Sequence, residues 1–224
     1  MKTTIVIPIY NEAKSLPVLL SQINGVKSET TQFLIVDNGS TDKSVRELLE
    51  SESELWKSIR TDENLGFGGG ILFGVLTSTT EFVGWMPGNL KIHPGEVIEL
   101  LDRHPLFRNE VLKAARIGRS HLARAKTFIA GLIQSAILRE RMFDSGGTPT
   151  VCQKTFVENL PNPPADYLFE SFVLFQARKN KINVKRPPIS YGKRTFGQSH
   201  WQRGFRSEIK LMRQIWRESK NWAK

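Results

Sequence analysis

The feature that most constrains this chain is a pair of apolar strands that each run directly into polar residues. Residues 5–12 read Ile-Val-Ile-Pro-Ile-Tyr-Asn-Glu, and residues 33–42 read Phe-Leu-Ile-Val-Asp-Asn-Gly-Ser-Thr-Asp. About one strand-and-helix unit separates them, and an open α/β sheet binds its ligand at the carboxyl ends of its strands. The sequence therefore predicts an α/β protein with a site at the ends of these two strands.

Strands alternate with helices through the first half of the chain, which favours a mainly parallel, twisted sheet flanked by helices. In that half we predict strands over 3–10, 32–37, 56–60 and 81–86, and helices that include 42–55 and 71–76. In the second half we predict strands over 111–116 and 182–187, and helices over 123–139, 154–160, 167–179 and 203–222. A chain of 224 residues is expected to form a single domain, 1–224.

The net charge of +10 predicts an anionic partner, which can be nucleic acid, an anionic membrane surface or a phosphorylated substrate. No nucleic-acid partner is expected, because neither zinc-finger spacing nor a ribonucleoprotein-type aromatic motif accompanies the charge. Cys152 is the one cysteine, so an intramolecular disulfide is excluded. No run of about 20 apolar residues is present, and the first residues lead straight into a strand, so a cytoplasmic protein is expected.

The two opening segments resemble the donor half of family 2 glycosyltransferases, which transfer a sugar from a nucleotide-sugar. The resemblance implies a GT-A fold, with a Rossmann-like, mainly parallel central sheet flanked by helices. It divides the chain into a donor half, 1–110, and an acceptor half, 111–224. Residues 182–209 resemble the polyprenyl-phosphate glycosyltransferase branch, which includes the dolichol-phosphate mannose synthases. The implied partners are a nucleotide-diphosphate sugar and a lipid-phosphate or surface-glycan acceptor, and the oligomeric state stays open.

A nucleotide-sugar requires acceptors for its base and ribose, and backbone N–H groups or positive charge for its phosphates. The ring of Tyr10 could lie against the base, and Asp37 could accept hydrogen bonds from the base or ribose. The alternative is structural, with Asn11 capping a helix and Asp37 forming a turn. The candidate donor-binding residues are Pro8, Tyr10, Asn11, Glu12, Asp37, Asn38, Asn64, Gly66, Gly69 and Asn89. The family usually has a second acidic residue where Asn38 stands.

The family's Asp-x-Asp metal motif is replaced in this chain. Where the motif is expected after residues 82–86, Pro87 stands for the first Asp and Asn89 for the second. Proline cannot coordinate a cation, and Asn89 offers one neutral oxygen, whereas Mg²⁺ or Mn²⁺ prefers carboxylates. Three hypotheses remain: weak metal binding through Asn89, metal-free transfer assisted by basic residues, or a degenerate transferase. Of these we favour metal-free transfer. His93 is expected to precede a helix.

The acceptor half resembles the polyprenyl-phosphate branch in its basic residues. The residues that the resemblance places near phosphates are Arg116, Arg124, Arg194 and His200. A phosphate acceptor is already anionic and needs no general base, whereas a sugar hydroxyl needs one. The carboxylates that could serve as that base are Asp144, Asp166 and Glu170.

The predicted terminal helix, 203–222, is basic and amphipathic. Its apolar residues are Phe205, Ile209, Met212 and Trp216. This stripe could rest on an anionic bilayer, as a peripheral protein at the inner membrane face, or it could pack on the protein's own core. The resemblance as a whole implies an inverting hexosyltransferase. Two alternatives stay open: a homologue that binds nucleotide-sugar or polyprenyl phosphate without turnover, and a basic membrane-surface adaptor on the same scaffold.

Overall fold

One seven-stranded sheet runs through both halves of the chain. The computed structural model describes residues 2–49, 52–192, 213–218 and 222. The strands are β1 (Thr3–Ile9), β2 (Thr31–Asn38), β3 (Trp56–Thr61), β4 (Phe82–Trp85), β5 (Glu110–Lys113), β6 (Ala115–Ile117), β7 (Thr150–Gln153), β8 (Asn183–Lys185) and β9 (Pro188–Ser190). The helices are α1 (Leu16–Asn24), α2 (Lys43–Leu49), α3 (Gly66–Thr77), α4 (Pro94–Arg103), α5 (His121–Leu138), α6 (Lys154–Glu158) and α7 (Phe169–Lys179).

The strand order is β3-β2-β1-β4-β7-β5-β8, with β6 and β9 forming a separate parallel pair. Strands β1 to β4 are parallel to one another, as are β5 and β8. Strand β7 is antiparallel to both of its neighbours, β4 and β5. The carboxyl ends of β1, β2, β3 and β4 therefore meet at one edge of the sheet, as the predicted GT-A fold requires.

The first strand lies inside the sheet, between β2 and β4, and is apolar on both faces. Ile5, Val6 and Ile7 are all 0% exposed, which is typical of a parallel strand covered by helices on each side. Alternate residues serve the two faces, so Ile5 and Ile7 pack in a cluster with α1 and α4. Val6 packs on the other face with residues of α3 and α7. The sheet thus forms the middle layer of three.

The second half has more strands than predicted, since β6, β7 and β9 are present besides the strands expected over 111–116 and 182–187. The strand predicted over 111–116 is divided, since the N–H of Ala114 bonds to Pro149 while that of Ala115 bonds to Pro187. Consecutive residues therefore pair with different segments, and β5 gives way to β6. Strand β7 was not predicted, because its four residues follow a glycine-rich turn and its partner β4 lies about 70 residues earlier in the chain.

The helix that falls furthest short of its predicted length is α2, whereas α6 and α7 are each two residues shorter than predicted. The helix predicted over 42–55 ends at Leu49 in α2. Downstream, the carboxylate of Glu52 accepts a hydrogen bond of 2.7 Å from the N–H of Ser58, and the hydroxyl of Ser53 accepts one from Leu55. Such side-chain bonds to backbone compete with helical hydrogen bonds and favour a turn into β3.

The described part of the predicted terminal helix packs on α7. Residues 213–218 are helical, Ile215 is fully buried, and the ring centroid of Trp222 lies 5.3 Å from that of Phe172. This agrees with the core-packing alternative for the residues described, although Trp216 is exposed. Phe205, Ile209 and Met212 lie outside the described residues. Among the helices that the structure describes, none combines the length and apolarity needed to cross a membrane.

Candidate donor and phosphate site

Asn11 joins the loops that follow β1 and β2. It has a positive φ of 52°, a conformation that asparagine tolerates better than most residues. Its N–H donates to the hydroxyl of Ser40 at 3.0 Å, and its side-chain oxygen accepts from the N–H groups of Thr41 and Asp42 at 2.9 and 3.3 Å. Asn11 therefore fixes the edge where the sequence places the base and ribose. Tyr10, directly before it, is 39% exposed.

Asp37 is completely buried at the end of β2, and both of its carboxylate oxygens have partners. One accepts a hydrogen bond of 2.9 Å from the N–H of Ser40, and the other forms an ion pair with Arg60. The guanidinium of Arg60 also donates to the carbonyl of Ser40 at 2.8 Å. Because the side chain of Arg60 is 43% exposed, this arginine presents positive charge to solvent at the candidate donor edge.

Asn38 braces the loop between β3 and α3 with four hydrogen bonds. Its amide nitrogen donates to the side-chain oxygen of Asn64 at 3.2 Å and to the carbonyl of Gly66 at 2.9 Å. Its side-chain oxygen accepts from the N–H of Leu65 at 3.1 Å and from the hydroxyl of Thr61 at 3.3 Å. Two of these four partners are acceptors, so the position requires a donor, which an amide supplies and a carboxylate does not.

The glycines at the start of α3 allow close contact with a backbone segment before α7. A Cβ atom on Gly66, whose φ is +80°, would lie 2.5 Å from the carbonyl oxygen of Ala165, and one on Gly68 would lie 2.4 Å from that of Pro164. The N–H of Gly69 already donates to Ala165 at 2.9 Å. These contacts give the glycines a packing role, and a role for Gly66 and Gly69 in donor binding stays a prediction.

The loop after β4 offers little to a hard cation. The side-chain oxygen of Asn89 accepts a weak hydrogen bond of 3.4 Å from the N–H of Lys91, and Pro87 has no ligand atom on its side chain. His93 caps α4, with its Nδ1 accepting from Gly95, as expected from the sequence. Among the residues described, no group of three His, Cys, Asp or Glu side chains could hold a metal ion. These residues do not fit the carboxylate site that Mg²⁺ or Mn²⁺ prefers.

Three arginines surround Asp144 in the second half of the chain. Arg116 donates to its carboxylate through Nε at 3.0 Å, and nitrogens of Arg119 and Arg186 lie 3.9 and 3.4 Å from its oxygens. Arg186 also donates to the backbone carbonyl of Asp144 at 3.0 Å. We call these four residues the arginine cluster. Counting only the residues that the structure describes, three guanidinium groups against one carboxylate give the cluster an excess of two positive charges.

Two properties of the arginine cluster suit it to an anion. Within the described part of the chain, the buried Nη1 of Arg186 has no hydrogen-bond partner. Burial raises the pKa of Asp144, but the hydrogen bonds and charge of Arg116, together with the charge of Arg186, outweigh it and hold that pKa below its ordinary value. The carboxylate therefore stays ionised near neutral pH, and a donor in the cluster is left for a further anion.

Tyr191 connects the arginine cluster to the loop after β4. The Nζ of Lys91 and the Cζ of Arg116 each lie 5.3 Å from the centroid of its ring. The N–H of Gly192 also donates to the carbonyl of Lys91 at 2.8 Å. Positive charge is therefore continuous from the end of β4, where a diphosphate is expected, to the arginine cluster.

Glu170, one of the carboxylates predicted as a base, lies in a buried ion pair with Lys113. Its other contacts are hydrogen bonds from the Nε1 of Trp85 at 2.9 Å and from the hydroxyl of Thr150 at 3.1 Å. Burial lowers the pKa of Lys113, and the charge of Glu170 opposes that shift. Both side chains are at least nine-tenths buried, so the pair fixes β4, β5 and α7 relative to one another beneath the site.

Asp166, another predicted base, shapes the start of α7. One carboxylate oxygen accepts from the N–H of Leu168 at 2.9 Å, and the other accepts from the side chain of Gln214 at 2.8 Å. Of the three carboxylates, only Asp144 lies in the arginine cluster.

Of the residues expected near phosphates, Arg116 belongs to the arginine cluster and Arg124 is exposed on α5. Arg194 and His200 lie outside the described residues. Four basic residues of the site were not predicted from the sequence: Arg60, Lys91, Arg119 and Arg186. Arg60 lies near the end of β3, and Arg186 directly follows β8. Asp37 was predicted because polar residues at the carboxyl ends of strands form the site, and the same rule would have identified both arginines if it had included basic residues.

Comparison with protein families gives a match over the part of the chain that holds the donor edge. The sequence model described as Glycosyl transferase family 2 matches residues 4–121, which is just over half of the chain.

Two curated relatives share the name undecaprenyl-phosphate 4-deoxy-4-formamido-L-arabinose transferase. The protein from Photorhabdus laumondii is 30% identical over 106 residues, covering 45% of this chain and 33% of the relative. That from Klebsiella pneumoniae is 29% identical over 108 residues, covering 46% and 33%. The matched region thus spans about a third of the length of these relatives.

Solved structures of glucosyl-3-phosphoglycerate synthase from Mycobacterium tuberculosis share the fold. The complex with UDP has a TM-score of 0.73 at 15% identity and covers 99% of this chain and 79% of that chain. The complex with Mn²⁺, UDP and glucosyl-3-phosphoglycerate has a TM-score of 0.69, also at 15% identity, and covers 96% and 77%. At this identity the likeness shows the GT-A architecture and not the substrates.

Proposed function

This chain belongs to glycosyl transferase family 2, and on that premise we propose that it moves a sugar from a nucleotide-diphosphate sugar to a lipid phosphate, with inversion and without a bound metal ion. The observation that carries the proposal is the arginine cluster, which joins the loop after β4 through Lys91 and Tyr191. The curated relatives named as undecaprenyl-phosphate transferases support the lipid-phosphate class.

The donor nucleotide would lie along the carboxyl ends of β1, β2 and β3. Asn11 and Asn38 hold the loops there, Tyr10 offers an exposed ring for the base, and Arg60 offers positive charge. The diphosphate would then reach the loop after β4, where Lys91 lies. Lysine and arginine can stabilise the developing charge of a leaving diphosphate electrostatically, which is the task that a metal ion performs in other transferases.

The chemistry requires no general base if the acceptor is a phosphate. An anionic phosphate oxygen attacks the anomeric carbon and forms the new C–O bond. The bond from that carbon to the nucleotide diphosphate breaks on the opposite face, and its electron pair leaves with the diphosphate. The role of the arginine cluster is to bind and orient the acceptor phosphate. Holding the attacking oxygen in position near the anomeric carbon increases the rate of transfer.

A sugar hydroxyl as acceptor is less well supported. It would need a base at the edge of the site, and among the three predicted carboxylates only Asp144 lies in the arginine cluster. Because neighbouring arginines hold the pKa of Asp144 below its ordinary value, that carboxylate is a weak base near neutral pH. The same arginines favour an acceptor that brings its own negative charge.

A catalytically inactive homologue is the second candidate. It is supported by the described residues, among which no group of three His, Cys, Asp or Glu side chains could hold a metal ion, and by the neutral side chain of Asn89, where the resemblance leads us to expect a carboxylate. Calorimetric titration of UDP, GDP and dTDP in the presence of EDTA, and then with Mn²⁺, tests the donor site. Binding of one nucleotide in EDTA is expected. Binding only with Mn²⁺ would contradict metal-free transfer, and no binding at all would contradict the transferase function. Release of sugar from the matching nucleotide-sugar separates the enzyme from the inactive homologue.

The acceptor site is tested with undecaprenyl phosphate in detergent micelles. Arg186→Gln should weaken binding of this lipid at least about tenfold, since a charged hydrogen bond to phosphate contributes roughly 1.5–3 kcal/mol. Nucleotide affinity should not change. Arg103→Gln is the matched control, because Arg103 is 71% exposed on α4 and pairs only along its own helix with Glu99 in the described structure. Equal effects of the two substitutions would refute the assignment of the acceptor phosphate to the arginine cluster.

A further inference from the structure

Helix α5 presents an apolar face outward. Five large apolar side chains on it are between 41% and 68% exposed: Leu122, Phe128, Ile129, Leu132 and Ile133. Their spacing along 18 residues follows the period of an α-helix, so they form one continuous stripe, which we call the α5 outer face. Contiguous apolar surface of this kind on a soluble protein marks a place where another molecule binds.

Apart from Ile137 and Leu138 at its carboxyl end, which pack on the core, the side of α5 that faces the protein is small and polar. Gly131 lies against Phe143, where an added Cβ would be 3.1 Å from the Cα of that residue. The buried Gln134 accepts a hydrogen bond from the hydroxyl of Ser171 at 3.4 Å, and Thr127 bonds back to its own helix. A helix that packs on a core and faces water has the opposite distribution, with apolar residues inward. The outer face of α5 is therefore suited to an apolar environment.

Charge around the α5 outer face identifies its partner. Within His121–Leu138 there is no Asp or Glu, while Arg124 and Lys126 are exposed beside the apolar stripe. Arg119 precedes the helix. Cations that border an apolar helical face are typical of helices that lie in the plane of an anionic bilayer. At 1.5 Å per residue α5 is about 27 Å long, and it does not meet the length and apolarity of a membrane span.

The α5 outer face is continuous with the arginine cluster. The ring of Phe128 stacks on that of Phe143, with centroids 5.4 Å apart and planes 17° apart. Phe143 directly precedes Asp144, and Arg119 directly precedes the residue that caps α5, Ser120. The apolar surface therefore adjoins the arginine cluster at two residues, Asp144 and Arg119.

We propose that the α5 outer face lies on an anionic lipid bilayer and brings the arginine cluster to the level of lipid phosphates. The choice of acceptor phosphate rests on the proposed function, but the membrane contact rests on α5 itself. From the sequence, membrane contact was considered for the terminal helix, as one of two alternatives, and not for α5. An apolar face could instead bind a second copy of the chain, and the measurement of mass in solution distinguishes that case.

The experiment measures partitioning of the full chain to vesicles by flotation. Vesicles of phosphatidylcholine alone are compared with vesicles containing roughly 30% phosphatidylglycerol, and strong binding is expected only to the anionic ones. The double variant Ile129→Gln, Leu132→Gln should bind those vesicles at least about tenfold more weakly, because two large apolar side chains lose their burial in the bilayer. The matched control is Val18→Gln, Leu76→Gln, which changes exposed apolar residues on α1 and α3 and should bind like the unaltered protein.

Two parallel measurements separate the outcomes. Nucleotide titration without vesicles should give the same affinity for all variants. If the unaltered protein binds vesicles but no nucleotide, the proposed function fails and the membrane contact stands. Light scattering gives the mass in solution. The proposal is overturned if the α5 double variant partitions like the unaltered protein, or if the unaltered protein is a dimer that ignores vesicles and becomes a monomer in the α5 double variant.

Discussion

Asn38→Asp replaces one nitrogen by oxygen in the side chain that braces the loop before α3. The amide nitrogen of Asn38 donates to the side-chain oxygen of Asn64 and to the carbonyl of Gly66. An aspartate at this position keeps the hydrogen bonds that Asn38 accepts but loses both that it donates. Its new oxygen would face two other acceptors in a place where the native side chain is 3% exposed.

The cost of this change follows from the contacts. Two lost hydrogen bonds contribute about 1 kcal/mol each, and a buried carboxylate facing acceptors adds a desolvation and repulsion term. We expect the free energy of unfolding to fall by about 3–5 kcal/mol. With a urea dependence of about 2 kcal/mol per M, the midpoint of urea unfolding should fall by about 1.5–2.5 M.

The loss should depend on pH. An ionised aspartate at position 38 is disfavoured by its surroundings, so its pKa in the folded protein lies above its value of about 3.9 in the unfolded chain. Below both values the acid is neutral and can donate one of the lost bonds. The deficit relative to the unaltered protein therefore grows as pH rises from about 4 and levels off once the folded acid ionises.

Asn64→Asp is the matched control for urea unfolding followed by far-ultraviolet circular dichroism. In the same hydrogen bond Asn64 is the acceptor, its side-chain oxygen also accepts from the N–H of Gly66 at 2.8 Å, and the residue is exposed. An aspartate there keeps both contacts, so stability should change by less than about 1 kcal/mol. The reasoning is refuted if Asn38→Asp unfolds at the native midpoint or if the two variants lose equal stability.

Three further predictions concern the glycine turn, the buried ion pair and the arginine cluster. Gly66→Ala should lower the free energy of unfolding, measured in urea, by several kcal/mol more than Gly118→Ala. Both glycines have a positive φ near 80°, but only a Cβ at position 66 would lie 2.5 Å from a carbonyl oxygen. Equal losses of stability would contradict this. Lys113→Met should lower the free energy of unfolding by about 3–5 kcal/mol, since it removes the cation paired with the buried Glu170, and a near-native urea midpoint would contradict this. Arg116 holds the pKa of Asp144 below its ordinary value, so the stabilisation from this carboxylate is present above about pH 3.9 and is lost as pH falls through the folded pKa; the difference in stability between Asp144→Asn and the native chain should therefore shrink as pH is lowered from 7 to 3.

The first half of the fold could be predicted from local sequence. Strands β1 and β2 were predicted to within two residues at each end, because each is a single apolar run that stops at polar residues with turn preference. The α/β class and the GT-A architecture are confirmed by the sheet order and by the solved structures of similar fold. In these segments local preference and tertiary pairing favour the same conformation.

The second half could not be predicted to the same extent, because its short strands are fixed by distant partners. Strand β7 exists through its pairing with β4 and β5, and nothing in its four residues specifies that antiparallel direction. The same holds for Ala114, where the chain leaves one sheet for the other. Tertiary contacts override local preference most easily in segments this short.

The sequence predicted where the candidate donor edge lies, but it did not predict which charged side chains pair with one another. Asn11, Asp37 and Asn38 lie together there because parallel strands end at a common edge, which is a rule of topology. The same pattern could not show that Asp37 pairs with Arg60 or that Glu170 pairs with Lys113, since partners of buried charges depend on side-chain packing across the sheet. The assignment of donor-binding roles to these residues stays a prediction.

The position of β7 has a consequence during synthesis of the chain. Strand β4 forms among the first 85 residues to leave the ribosome, but the strand that covers its open side is made only after residue 150. Until then a fully buried apolar strand, Phe82–Trp85, would have one unpaired edge, which is a template for aggregation. A fragment ending at residue 121 contains the whole region matched by the family, yet it lacks β7 and leaves β5 without either of its neighbours. Expressed alone, that fragment should be insoluble, because the segment that the family model matches lacks the strand needed to complete its sheet.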